Sequence, residues 1–176
     1  ELFPGVNYLR NLYGGVVWVK AKKPIITPVT LNISGVVQMA DFELGASSHS
    51  EWLQQVKESE VPWLELKSKH MIYTVPRYMI LRMQELGTLT DMPEVMKEWD
   101  RVYEQDFYGW LGLEFKHPNV KHRAPDLPER GVLDIHPVAG YAHSGYPIVA
   151  QLDDYWTDEW VNINTITGGG AWGTYH

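Results

Sequence analysis

Apolar positions along this chain follow two periods, and the change from one to the other marks its elements. Val29, Leu31 and Ile33 alternate with Thr30, Asn32 and Ser34 inside the stretch from Ile25 to Val37, which is the two-residue period of a half-buried strand. The run from Gly15 to Lys20 is β-branched and aromatic, and Lys22-Lys23-Pro24 separates it from the alternating stretch. Two adjacent strands are therefore expected near the start. From Ser47 onward the period lengthens. Ser47 or Ser48 is placed to cap a helix carrying Glu51, Trp52, Leu53 and Val56, whose apolar spacing is helical.

Pro62-Trp63-Leu64-Glu65-Leu66 leads into Met71-Ile72-Tyr73-Thr74-Val75, a further strand candidate. Pro76 then stands where a helix through Tyr78, Leu81 and Met83 can begin, because proline is tolerated at the start of a helix. Asp91-Met92-Pro93-Glu94 is a stronger helix start, with a capping residue, a proline in the first turn and an acid at the positive helix end. Val95, Met96, Trp99, Val102, Tyr103 and Phe107 keep the helical period, which predicts the longest helix, ending near Gly109 or Gly112. Lys116 to Pro128, rich in cations, histidine and proline, reads as a loop. Val132 to Ile135 and Val161 to Ile166 read as strands, with the polar and aromatic run Gly140 to Tyr146 between them. Strands first, then helices mixed with strands, predict an α+β fold: a mixed sheet with flanking helices. The expected organisation is a β-rich portion over residues 1–45 and an α+β portion over 46–176.

Composition narrows the function classes. The chain has 176 residues, enough for one domain with a real core. Its net charge of −7 opposes a phosphate-tracking surface, so nucleic acid is not an expected partner. No apolar run approaches the roughly 20 residues of a membrane helix, so no transmembrane segment is expected. There are no cysteines, which leaves His, Asp and Glu as the only side chains for a metal. Eight Trp and ten Tyr suit core packing first and contact with carbohydrate second.

Several motifs fall short of the chemistry they suggest. Gly168-x-Gly170-x-x-Gly173 has the literal spacing of a dinucleotide-binding turn, but it lacks the repeating βαβ context, and Trp172 would crowd a pyrophosphate. Ser144 is followed by Gly145 and Tyr146 but preceded by Ala142 at the position where a nucleophile elbow needs glycine. Asp134 and His136 would share one strand face and could ligate a metal, although such a pair more often caps or hydrogen-bonds. His117 and His122 lie in the proline-rich loop and are expected to face solvent. Asp153, Asp154, Asp158 and Glu159 lack the spacing of a calcium loop and read as a solvated acidic face.

Taken together, several segments resemble the enhancin-like, mucin-degrading zinc metallopeptidases of the gluzincin type. They are Asn11-Leu12-Tyr13-Gly14-Gly15-Val16-Val17-Trp18, Pro62-Trp63-Leu64-Glu65-Leu66 with Tyr73-Thr74-Val75-Pro76, Ala142-His143-Ser144-Gly145-Tyr146-Pro147-Ile148, and Trp172-Gly173-x-x-His176. The resemblance covers nearly the whole chain and implies the front part of a zincin-like catalytic domain. It implies that His176 is the first histidine of a His-Glu-x-x-His zinc helix, with the general-base Glu and the other ligands expected beyond it. Two histidines four apart on a helix converge on one Zn²⁺ and leave an open position whose bound water has a pKa of about 7. A lone histidine does not, so the chain by itself is expected to be inactive.

On this resemblance Trp172, Gly170, Asn164, His143 and Tyr146 are the expected substrate-binding residues, and Val161 to Ile166 is the strand expected to pair with substrate backbone. The implied cofactor is Zn²⁺, and the implied substrate is a mucin-like extracellular glycoprotein or peptide, with the C-terminal remainder of the same protein as a possible partner. The implied location is secreted or cell-surface. The resemblance also leaves open a non-catalytic homologue, intracellular and membrane-associated, that binds a membrane protein or glycan.

Overall fold

The computed structural model describes residues 2–12, 15–21, 25–135, 137 and 142–168. The chain divides into two compact units, Glu1–Val36 and Val37–His176. In the first unit no helix or strand forms among the described residues, which corrects the two strands expected at 15–20 and 25–37. The reason is physical: β-propensity measures fit to a pleated, half-buried surface, and here the branched and aromatic side chains of both runs lie mostly exposed.

The second unit is built on a six-stranded mixed sheet in the order β1-β2-β3-β4-β6-β5. Its strands are β1 (Phe42–Glu43), β2 (Trp63–Lys67), β3 (Met71–Pro76), β4 (Glu129–Asp134), β5 (Ala142–His143) and β6 (Ile148–Gln151). β1 runs parallel to β2, β3 parallel to β4 and β4 parallel to β6, while the β2–β3 and β5–β6 pairs are antiparallel. The helices are α1 (His49–Glu58), α2 (Arg77–Leu86), α3 (Met92–Arg101), α4 (Asp154–Val161) and α5 (Ile163–Thr167). This is the α+β architecture with flanking helices that the pattern predicts.

Local chemistry explains the helix starts. Ser48 caps α1, its side chain accepting from the Glu51 amide and its hydroxyl donating to Glu51 Oε2 at 2.6 Å. Asp91 occupies the cap position of α3, yet its side chain makes no capping bond. The Met92 amide donates instead to His49 Nδ1 at 3.1 Å, so a residue of α1 caps α3. Beyond Arg101 the helix continues as a π-helical segment, Val102–Gly109. Residues five apart then face the same way, and Tyr103 and Tyr108 are both buried with ring centroids 5.7 Å apart. In an α-helix they would point about 140° apart.

The two faces of the sheet differ in character. Cross-strand register puts Leu64, Leu66, Tyr73, Val75, Leu133 and Ala150 on one face, all buried in the hydrophobic core. There Tyr73 stacks on Trp160 at 4.6 Å and meets Trp99 at 5.0 Å, while Trp99 Nε1 donates to the Trp160 carbonyl at 2.9 Å. Gly131 in β4 is required by this packing, since a Cβ there would sit 2.7 Å from the Tyr73 ring. The opposite face carries a charged network. Glu65, only 3% exposed, receives both terminal guanidinium nitrogens of Arg130 at 2.9 Å and lies 3.2 Å from Lys67 Nζ. Lys67 also reaches Asp41 at 2.6 Å, and Asp41 Oδ1 accepts from the Glu65 amide at 2.8 Å. A buried carboxylate is tolerated because cations and donors from three elements converge on it.

Candidate functional site

Of the residues singled out in the sequence, His143 lies on β5, Tyr146 in the turn that follows it and Asn164 on α5. His143 ends β5 and pairs with Val149 of β6. Its Nδ1 lies 3.2 Å from the Ser144 carbonyl. A carbonyl only accepts, so in this contact Nδ1 is the donor. Tyr146, in the turn between β5 and β6, is half exposed, and its hydroxyl donates to the Pro128 carbonyl at 3.4 Å. β5 lies at the edge of the sheet, the position at which a further strand adds to a sheet.

The stretch from Val161 to Ile166 is not a strand. It contains the last residue of α4, the cap residue Asn162 and most of α5, which overturns its expected role as a partner for substrate backbone. Short β-branched runs are ambiguous between strand and helix, and here the caps decide. Asp153 Oδ1 accepts from the Trp156 amide at 2.9 Å, and Asn162 Oδ1 accepts from the Asn164 amide at 3.0 Å. Trp156 and Trp160, four apart, then face the core together.

The corner between these helices is tied down from several sides. Asp158 accepts from Asn162 Nδ2 at 2.9 Å and from the Thr165 hydroxyl at 2.7 Å. The Thr90 hydroxyl donates to the Val161 carbonyl at 3.1 Å and accepts from the Ile163 amide at 3.2 Å. Trp99 holds the Trp160 carbonyl through its indole N–H. Helix-end carbonyls that would otherwise lack partners are thus met by side chains from the α2–α3 connection and from α3. Asn164 is exposed on α5, whereas Gly170, Trp172 and His176 lie outside the described residues.

The acidic run of this region is not a uniformly solvated face. Asp153 caps α4, Asp154 pairs with Arg82 at 3.0 Å, and Glu159 is 5% exposed with Oε2 lacking a hydrogen-bond partner. Burial, with Asp158 nearby, pushes the Glu159 carboxyl above the ordinary range, while its bond to Tyr155 works the other way. The tyrosine is raised in turn, chiefly by the charge of Glu159. Glu159 is legible in the sequence as one of an acidic group but not as a buried one; the signal that marks it is its place three residues after Trp156 on a helix whose apolar face is buried.

Other metal candidates do not assemble. Asp134 ends β4 exposed, and His136 lies outside the described residues. His117 and His122 pack edge to face at 5.3 Å. His122 is exposed and His117 partly so, and His117 Nδ1 accepts from the Asn119 amide at 3.1 Å. Among the described residues there is no group of three His, Cys, Asp or Glu side chains able to hold a metal ion. His176, the expected metal ligand, lies outside the described residues.

The peptidase M60, enhancin and enhancin-like family model matches residues 35–176. The chain belongs to this family. TRPM8 channel-associated factor 2 of Homo sapiens is 33% identical over 166 residues, covering 94% of this chain and 16% of that protein. TRPM8 channel-associated factor 1 of Bos taurus is 32% identical over 168 residues, with the same shares. This M60 chain therefore spans 16% of the length of these curated relatives. Among solved structures, the CBM32-1, CBM32-2 and M60 catalytic domains of Clostridium perfringens ZmpB superpose with a TM-score of 0.62 at 14% identity, over 80% of this chain and 15% of that one. A functionally unknown conserved protein from Bacillus anthracis str. Ames gives a TM-score of 0.62 at 17% identity, over 77% of this chain and 27% of that one. At these identities the likeness is one of fold, and the fold is that of M60 catalytic domains.

Proposed function

We propose that the chain is the sheet-bearing front part of a zinc-dependent endopeptidase that acts on mucin-like extracellular glycoproteins, working at the cell surface or after secretion. The observation that carries this reading is the segment Trp172-Gly173-x-x-His176, which lies inside the family-matched region and comes after the firmly held α4–α5 corner. His176 would be the first metal ligand, and the remaining ligands and the general base would come from beyond it. On the side of the substrate, β5 would pair with extended peptide backbone through its outer edge. His143 and Tyr146 would contact substrate from that strand and its turn, and Asn164, Gly170 and Trp172 from the approach to His176.

The test is made on the full-length protein. About one zinc per chain by elemental analysis is expected, together with cleavage of a mucin-type glycoprotein that is abolished by chelation. His176→Ala is expected to lose the metal and the cleavage while leaving the circular dichroism spectrum unchanged. A full-length protein that folds without zinc and cleaves neither glycosylated nor deglycosylated substrate overturns the peptidase reading.

A second reading has its own support. The curated relatives at 32–33% identity are named as channel-associated factors, which favours an M60 fold used to bind a membrane protein or glycan without catalysis, inside the cell and beside a membrane. Zinc-free full-length protein that is recovered in complex with a membrane protein from detergent extracts, and fails to bind after substitutions along β5, would establish it.

A further inference from the structure

We propose that Val29 to Ser34 is a docking strand, which adds to the edge of a β-sheet in a neighbouring domain of the same polypeptide, outside residues 1–176, and seals Val29, Leu31 and Ile33 against it. The six residues alternate strictly between apolar and polar side chains, the pattern of a pleated strand with one covered face. Pro28 precedes them, where a missing amide costs a strand least. Gly35 comes next with φ +73, a left-handed conformation that stops an extended run.

Within unit 1 the apolar members of the alternation are 65%, 46% and 56% exposed at Val29, Leu31 and Ile33, and no described residue pairs with this stretch as a ladder. Three branched side chains left in water, which an extended strand would bring onto one face, form the kind of surface that marks an interaction site. The backbone of a strand also presents a row of donors and acceptors that a sheet edge matches.

The extent of the matches points to the nature of the partner. The M60 region begins at residue 35, while a match of 166 residues to the human relative cannot fit inside residues 35–176 and so includes residues ahead of them. That leading stretch is thus shared with relatives whose length is mostly outside this chain, and it lies outside the peptidase region itself. A sheet tethered on the same polypeptide is presented at an effective concentration of the order of millimolar, which outcompetes a second copy at micromolar protein. The proposal is independent of whether the protein binds zinc.

The experiment is cysteine-accessibility mapping on the full-length protein, with the unsubstituted protein as background, since none of these 176 residues is cysteine. Single substitutions Val29→Cys, Thr30→Cys, Leu31→Cys, Asn32→Cys, Ile33→Cys and Ser34→Cys are labelled with a maleimide. Labelling at 29, 31 and 33 is expected to be at least about ten-fold slower than at 30, 32 and 34, and the alternation should vanish in the 176-residue chain alone. Amide hydrogen exchange on the unsubstituted full-length protein should show residues 29–34 protected, which removes dependence on any variant folding. Uniform labelling with fast exchange in the full-length protein overturns the proposal. Alternation that appears only at concentrations where light scattering detects dimers overturns it in favour of a second copy.

Discussion

At the scale of single residues, the two buried carboxylates of the second unit are solved in opposite ways. Glu65 is met by Arg130, Lys67 and the Thr74 hydroxyl, so its charge is compensated inside the sheet. Glu159 is bonded by Tyr155 and has a second oxygen with no partner, and its carboxyl is held above the usual carboxylate range by burial. A group that binds its proton more tightly folded than unfolded costs stability as pH rises through its ordinary value near 4.3 toward the raised one, and the cost persists above. Glutamine at this site has no charge to desolvate. Glu159→Gln is therefore expected to gain stability relative to the unsubstituted chain between pH 4 and pH 8, read from urea unfolding at each pH. A variant that loses ground as pH rises would mean that the site holds the carboxylate form. Glu104 behaves inversely: bonds from Lys69 and His70 hold its carboxyl below the ordinary range, so whatever it contributes is lost as pH falls.

At the scale of elements, capping decides more than propensity. Asp153 turns a run with two tryptophans and a valine into α4, and Asp153→Ala is expected to cost about 1 kcal/mol of unfolding free energy through the lost bond to the Trp156 amide, measurable by chemical denaturation with the slope unchanged. Where the helical period is clear the sequence already shows the element: α1 behind Ser48, α2 behind Pro76 and α3 behind Asp91 stand where expected, although of these three start residues only Ser48 makes a side-chain capping bond. β3 is visible in its β-branched and aromatic run, and β4 is visible to within a few residues. The illegible features depend on partners distant in sequence. β1 and β5 are two-residue strands that exist only through their neighbours' ladders, His49 caps a helix more than forty residues away, and the last helices hide behind side chains that also suit a strand. For the candidate site, the motif that singles out His143 and Tyr146 falls on the edge strand β5 and the turn after it. The burial of Glu159 is not, because burial of an acid is a property of packing.

At the scale of the whole molecule, the sharpest contrast is between its two units. The second has a continuous core from Ala40 to Ile166, whereas the first has exposed apolar side chains and no regular element among its described residues. Trypsin acting on the 176-residue chain is expected to cut first after Arg10 and Lys20, both exposed, leaving a resistant core that begins near residue 37, as intact mass would reveal. Initial cleavage inside β2–β4 would contradict this order. The same contrast matches the extent of the family model, which begins two residues before the second unit.

The wide-wound turn between Val102 and Gly109 has a consequence for how this fold tolerates changes in chain length. Removing one exposed residue from it, such as Gln105, brings Tyr103 and Tyr108 to a spacing of four, which the ordinary winding of about 3.6 residues per turn already aligns. Both tyrosines would keep their inward orientation, and His70, which meets Tyr108 edge-on, would keep its neighbour. A one-residue gap among relatives is therefore accommodated here with little rearrangement, whereas the same deletion inside α3 would rotate every following side chain out of phase with the sheet beneath it.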